Sequence, residues 1–229
     1  MKISGLQAVS LIDFPEHICC TVFTQGCNFK CPYCHNPELL SLESKNKYIE
    51  EKDFFKFLTE RRGKLDGVCI TGGEPTLQGD LTSFIEKIKN MGFDIKIDTN
   101  GTNPELVSNL INKNLVDYFA MDMKAPRKKY DEVSKSKNLL EKVHKSIKII
   151  MNSKIQYEFR TTVVKELLSI NDLKQIAIEL DGSTMWIIQQ FQPFENIKFR
   201  SPKFTTYSHK QLMEVVKFAT DYIETVNIR

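Results

Sequence analysis

Cys27, Cys31 and Cys34 fall within one short run, Gln25-Gly-Cys-Asn-Phe-Lys-Cys-Pro-Tyr-Cys-His-Asn36, with the spacing C-x3-C-x2-C. Thiolates are ligands for soft metals, and the count here is three. A structural zinc site closes its tetrahedron with four protein ligands, and an iron–sulfur cube normally takes four cysteines. A cube held by three leaves one iron open to a small molecule, and an open position is what a catalytic metal needs. The loop therefore reads as a reactive cluster site. Two other readings stand beside it. His35 could complete a zinc site, although it adjoins Cys34 and neighbouring residues rarely reach one tetrahedral metal. Cys31-Pro-Tyr-Cys34 has the form of a redox C-x-x-C, which leaves Cys27 and the downstream motifs unexplained.

Those motifs are Thr71-Gly-Gly-Glu-Pro75, Asp98-Thr-Asn-Gly101, Asp122 with Lys124, Glu158-Phe-Arg-Thr-Thr162 and Gln189-Gln-Phe-Gln-Pro193. Gly72 and Gly73 let a backbone approach a ligand closely, or make a tight strand-to-helix turn. Glu74 is an acceptor suited to an ammonium, and Lys124 a cation suited to a carboxylate. Arg160 shares strand parity with Glu158 and Thr162; it lines an interior, or pairs with Glu158 alone. Asp98 and Asp122 could simply cap neighbouring turns.

Elements that would position these residues follow from the pattern. Apolar runs predict strands at 17–24, 67–71, 93–98, 116–122, 155–164 and 184–190. Amphipathic runs predict helices near 50–62, 80–91, 103–113, 138–152, 169–180 and 208–222. Gly63 and Gly92 suit helix ends, Asn103-Pro104 suits a helix start, and Ser169 or Asn171 could cap the helix that follows. Alternating strands and helices imply an α/β fold with a parallel sheet and right-handed crossovers. The sheet closes into an incomplete barrel or lies open and doubly wound. In both cases ligands bind at the C-terminal ends of strands, which is where the polar motifs fall.

Composition narrows the class. The chain has 229 residues, 41% hydrophobic and 27% charged, which suits one domain over 1–229. An N-terminal extension, 1–16, and a C-terminal helix and strand, 208–229, are expected to pack on it. No apolar run reaches membrane-spanning length, and the first residues lack the apolar core of a signal peptide, so a cytoplasmic protein without a membrane partner is expected. A net charge of +3 is too small to argue for nucleic acid. Six cysteines without an export signal argue against disulfides. Cys19, Cys20 and Cys69 lie in apolar strands and read as core residues; none follows Cys69, so a second cluster lacks ligands. The basic stretch Lys124–Lys137 reads as a solvated connection or a partner-facing loop. His17, His144 and His209 read as structural.

C-x3-C-x2-C with an aromatic before its last cysteine, followed by Gly-Gly-Glu-Pro, resembles the radical SAM superfamily. Gly5-Leu-Gln, Ser10-Leu-Ile-Asp-Phe-Pro15, Phe23 through Glu38, Asp98-Thr-Asn-Gly101 and Ala120-Met-Asp-Met-Lys-Ala-Pro126 resemble one branch of it. That branch is the anaerobic ribonucleoside-triphosphate reductase activating proteins, relatives of the pyruvate formate-lyase activating enzyme. The resemblance runs from Gly5 to about Phe194. It implies an incomplete (β/α)6 barrel and one [4Fe-4S] cluster on Cys27, Cys31 and Cys34. S-adenosylmethionine (SAM) would chelate the fourth iron through its amino and carboxylate groups. Reductive cleavage of its S–C5′ bond would give methionine and a 5′-deoxyadenosyl radical. That radical would take hydrogen from a backbone glycine of a glycyl radical enzyme, here an anaerobic ribonucleotide reductase. A flavodoxin or ferredoxin-type protein would supply the electron.

The resemblance also implies roles within the site. Tyr33 would support the adenine, or serve only packing. Gly72, Gly73 and Glu74 would receive the amino group, with Asp98 and Asn100 nearby. Lys124 and Arg160 would meet the carboxylate. Gln190 or Gln192 would contact the ribose, where the pyruvate formate-lyase activating enzyme has a histidine. Asp98, Thr99 and Asp122 would form a monovalent-cation site. Two rival readings keep less of this: the same chemistry on another glycyl radical enzyme, small molecule, peptide or RNA, or an iron–sulfur redox sensor without turnover.

Overall fold

Strand parity sorts the side chains into two sets. Val22, Val68, Ile70, Ile95, Ile97, Phe119, Met121 and Phe159 are fully buried and join one large core with helix residues such as Phe54, Leu58, Phe84 and Ile88. Their alternates, among them Cys69, Lys96, Asp98, Ala120, Asp122 and Arg160, take the opposite face. A sheet apolar on its helix side and mixed on the other is what a barrel wall requires.

The computed structural model describes residues 1–43, 47–192 and 204–229. Its strands are β1 (Ile3–Ser10), β2 (Cys19–Thr24), β3 (Gly67–Gly72), β4 (Asp94–Thr99), β5 (Tyr118–Asp122), β6 (Gln156–Val163), β7 (Met185–Gln190) and β8 (Thr225–Ile228). Its helices are α1 (Glu51–Glu60), α2 (Leu81–Asn90), α3 (Pro104–Asn112), α4 (Tyr130–Ser134), α5 (Leu140–Met151), α6 (Ile170–Glu179) and α7 (His209–Ala219). Phe194, where the family resemblance ends, lies outside the described residues. The strands neighbour one another in chain order. β1 is antiparallel to β2, and every later pair is parallel. The order never reverses, so the sheet is not doubly wound. β1 and β8 remain as edges, and the sheet is an incomplete barrel.

Two strands lie beyond the six apolar runs. β8 comes from the C-terminal stretch and pairs with β7. β1 forms within the N-terminal extension 1–16 and pairs with β2. Only Ile3 and Ser10 of β1 are buried, so it carries too few apolar residues to register as a strand in the sequence.

Helix starts obey local chemistry. The Asn103 side chain accepts from the Leu106 N–H ahead of Pro104. Ser169, not Asn171, caps α6, in a reciprocal box with Asp172. The basic stretch after Lys124 is not merely a solvated connection. Tyr130, Val133 and Ser134 of α4 are buried, and the Ser134 carbonyl accepts from the Lys30 N–H at 3.0 Å, so α4 supports the cysteine loop. Among the described residues, no helix is long and apolar enough to cross a membrane.

The barrel floor is a second, small core of Phe14, Cys19, Cys69, Tyr118 and Ala120. Phe14 comes from the β1–β2 loop and stacks on His17 at 3.9 Å. Cys20, of opposite parity to Cys19, joins the outer core. Phe14→Ala is expected to remove about 3–5 kcal/mol of stability, read as a lower denaturant midpoint; a midpoint equal to wild type contradicts Phe14 as the floor of the barrel.

Candidate active site

The cysteine loop is pinned by backbone at several points. The Gly26 N–H donates to the Leu39 carbonyl at 2.8 Å and the Cys27 N–H to Leu40 at 3.3 Å. Phe29 meets the Tyr130 ring edge-on at 6.0 Å. Cys27, Cys31 and Cys34 then line one cavity of about 340 Å³, a size typical of small-molecule sites. Burial pushes the Cys27 thiol up to about 12 and raises Cys31 as well. A thiol–disulfide catalyst needs the opposite shift, whereas a bound cation deprotonates its thiol ligands outright.

The glycines of the Gly-Gly-Glu-Pro turn make a close approach, and the partner is the protein itself. A Cβ on Gly72 would stand 2.3 Å from the Thr24 nitrogen, and one on Gly73 2.1 Å from the Gly26 oxygen. Gly72 also adopts φ +112. The two backbones bond directly, Gly73 N–H to Thr24 at 2.9 Å and Glu74 N–H to Gly26 at 2.8 Å. The turn after β3 therefore locks the loop after β2.

Glu74 is not left open to a ligand ammonium. Its carboxylate is 1% exposed and accepts from the Thr76 N–H and hydroxyl, the Thr99 hydroxyl and the Asn100 N–H. Burial raises this carboxyl, while those donors oppose the shift. Thr99 lines the cavity with Asp98 and Asp122, but it has the parity opposite to Asp98 and its hydroxyl donates to Glu74 at 2.7 Å. Asn100 lines the cavity; its side-chain amide donates to Asn28 at 2.8 Å and lies 4.0 Å from Cys27 Sγ.

Asp98 and Asp122 already have cations of the protein's own. Arg160 donates from one nitrogen to Asp98 and from another to Asp122, each at 3.1 Å. Lys124 reaches Asp122 at 2.8 Å, and Lys96 pairs with Asp98. Arg160 thus pairs across strands and not with Glu158, which accepts from Tyr118 at 3.3 Å. Burial works to raise Asp98, but Arg160 and Lys96 outweigh it and hold the carboxyl at about 2. Burial opposes Asp122 in the same way, and Lys124 and Arg160 hold it low.

Tyr33 lines the cavity, its hydroxyl buried without a hydrogen-bond partner among the described residues. Gln189 lines it as well, and Gln190 and Gln192 do not. Gln189 is the register partner of Thr162. Gln190 has the other parity and donates to the Tyr207 carbonyl at 3.0 Å, and Gln192 is exposed. The sequence reading missed Gln189 and Lys96. Lys96 had a signal, a lysine alternating with Asp94 and Asp98 in an otherwise apolar strand.

A sequence profile of the radical SAM superfamily matches residues 21–177, well over half the chain. The chain belongs to the radical SAM superfamily. A Methanocaldococcus jannaschii protein with the provisional name glycyl-radical enzyme activating enzyme is 36% identical over 234 residues, covering 99% of this chain and 95% of that protein. The pyruvate formate-lyase-activating enzyme of Clostridium pasteurianum is 32% identical over 105 residues, 44% of this chain and 43% of the relative. Among solved structures, Streptococcus suis SuiB bound to S-adenosylmethionine superposes with a TM-score of 0.68 at 16% identity, over 90% of this chain and 48% of that one. That likeness concerns the fold.

The residues fit the groups that membership in the radical SAM superfamily implies. The three thiols share the cavity with Lys124 and Arg160, and the buried Tyr33 hydroxyl, without a hydrogen-bond partner among the described residues, adjoins them. Gly73→Ala is expected to cost about 1–3 kcal/mol through the clash with Gly26. Gly79→Ala, with open space around the added carbon, should change stability by less than about 1 kcal/mol; equal effects in denaturant melts would contradict the locking contact. Asp98 is depressed in the folded state, so its contribution is full above the unfolded carboxyl value and lost as pH falls toward 2. Wild type should lose about 2 kcal/mol between roughly pH 4 and pH 2 by this route, and Asp98→Asn should show a shallower acid slope; an unchanged slope would contradict the pairing.

Proposed function

We propose that this chain is an activase that reductively cleaves S-adenosylmethionine at a [4Fe-4S] cluster and initiates a backbone glycyl radical on a partner enzyme. The observation that carries the reading is the shared cavity, which Cys27, Cys31 and Cys34 line together with Lys124 and Arg160. Cys27, Cys31 and Cys34 would hold the cluster, which supplies the electron and the open iron. Lys124 and Arg160 lie where a carboxylate is favoured. Backbone carbonyls of the Gly72–Gly73 turn accept an ammonium, while Glu74 acts indirectly by holding that turn against Asn100. Thr162 and Gln189 present a hydroxyl and an amide toward ribose. Tyr33 offers a ring and a hydroxyl beside the cluster cysteines.

A glycyl radical enzyme as substrate rests on the names of the relatives and on the edges left by β1 and β8, which give a partner's loop a lateral way in. An anaerobic ribonucleotide reductase as that partner rests on the sequence resemblance, as does a flavodoxin or ferredoxin-type donor. Cluster-loaded protein with dithionite and S-adenosylmethionine should release 5′-deoxyadenosine; none from fully loaded protein overturns the enzyme reading. With the reductase it should then give a glycyl doublet in electron paramagnetic resonance. A doublet only with a different glycyl radical enzyme would move the assignment to that partner.

A further inference from the structure

Lys96 is a buried lysine that the proposed chemistry does not use. It is 2% exposed, and its ammonium contacts Asp98 Oδ1, lies 3.8 Å from Cys69 Sγ and sits over the Tyr118 ring at 5.9 Å. From Asp98 the contacts continue in one line. Asp98 Oδ2 accepts from Arg160, Arg160 also donates to Asp122 Oδ1, and Asp122 Oδ2 accepts from Lys124. Each carboxylate oxygen thus has one cation. The order is Lys96, Asp98, Arg160, Asp122, Lys124, and three cations against two carboxylates leave one positive charge over. Three other acids stand near the row without accepting from its cations, and Glu74 is taken up by Thr76, Thr99 and Asn100. Glu158 is paired with Arg229 at 3.7 Å, and Asp13 accepts from the Thr21 hydroxyl at 2.6 Å.

We propose that Lys96 is the positioning residue that makes this row odd, so that its far end, at Lys124, carries an uncompensated charge for a ligand carboxylate. The inference rests on the proposed function, which places the carboxylate of S-adenosylmethionine there. Lys96 sits at the Asp98 end of the row, outside the cavity that Lys124, Cys27, Cys31 and Cys34 line, and acts by charge and by fixing Asp98. With Lys96 present, Asp98 is neutralised from below, and Arg160 and Lys124 together outweigh Asp122. Without it, the row sums to zero, and Asp98 draws Arg160 toward the floor. Buried charges in a low-dielectric interior feel such a change strongly.

The test measures ligand binding by anaerobic calorimetry on cluster-loaded protein, with two probes. S-adenosylmethionine carries the carboxylate; 5′-methylthioadenosine keeps the adenosine and lacks it. Lys96→Met should weaken S-adenosylmethionine by about tenfold or more and 5′-methylthioadenosine by less than about twofold. Lys96→Met combined with Asp98→Asn removes a buried pair together, restores the odd count and avoids a stranded carboxylate; it should return S-adenosylmethionine affinity to within about threefold of wild type. Unchanged S-adenosylmethionine binding in Lys96→Met, equal losses for both probes, or a double variant no better than the single one overturns the proposal. A wild type that binds no S-adenosylmethionine removes the proposed function, and this inference falls with it.

Discussion

Alternating charges inside the barrel govern the rest of the molecule. Ions taken out of water are costly unless each is paired, and here Arg160 bridges Asp98 and Asp122 while Lys96 and Lys124 close the two ends. A small parallel barrel otherwise fills its interior with layers of apolar side chains. In this one the apolar layer stops at Phe14, Cys19, Cys69, Tyr118 and Ala120. Above it the interior is polar, and a ligand-sized cavity opens at the strand ends. The floor gives the barrel its packing, and the row sets Asp98, Arg160, Asp122 and Lys124 along the cavity.

The cavity needs its walls held still. Gly72 and Gly73 bring one loop against the backbone of another, closer than any side chain would allow. Glu74 then ties that turn to Thr99 and Asn100, and Asn100 reaches the neighbourhood of Cys27. Three strand ends are thereby fastened into one rigid rim, with α4 behind the cysteines. Burial disfavours the charged form of the Cys27 and Cys31 thiols until a metal offsets it. Precise placement with unfavourable free thiols is the arrangement expected of a site completed by its cluster.

Much of this was legible in the sequence because the signals were local. Thiol spacing, strand-end motifs, the Asn103-Pro104 start and the Ser169 cap each depend on a few consecutive residues. What escaped depended on pairing across the chain. β1 is stabilised by its ladder to β2 and buries little, so it leaves no apolar run. The glycines of the Gly-Gly-Glu-Pro turn read as a close approach to a ligand, and the close partner in the structure is the protein's own backbone, 47 positions or more away in the chain, at Thr24 and Gly26. Thr99 and Gln190 follow from the family resemblance alone; strand parity turns the Thr99 hydroxyl to Glu74, although Thr99 still lines the cavity, and turns Gln190 to the Tyr207 carbonyl. The alternation of Asp94, Lys96 and Asp98 is local, but the ion pairs that Lys96 joins continue through Arg160, 62 residues on from Asp98.

The central claim is that three of the six cysteines, and only those three, make a cluster site. Anaerobic reconstitution with iron and sulfide of six single cysteine-to-alanine variants tests it most directly. Wild type and the Cys19, Cys20 and Cys69 variants should each assemble about one [4Fe-4S] cluster per chain. The Cys27, Cys31 and Cys34 variants should lose the intact cube, by iron content and by the spectrum of the reduced cluster. A full cube in Cys31→Ala, or its loss in a folded Cys69→Ala, would contradict the account.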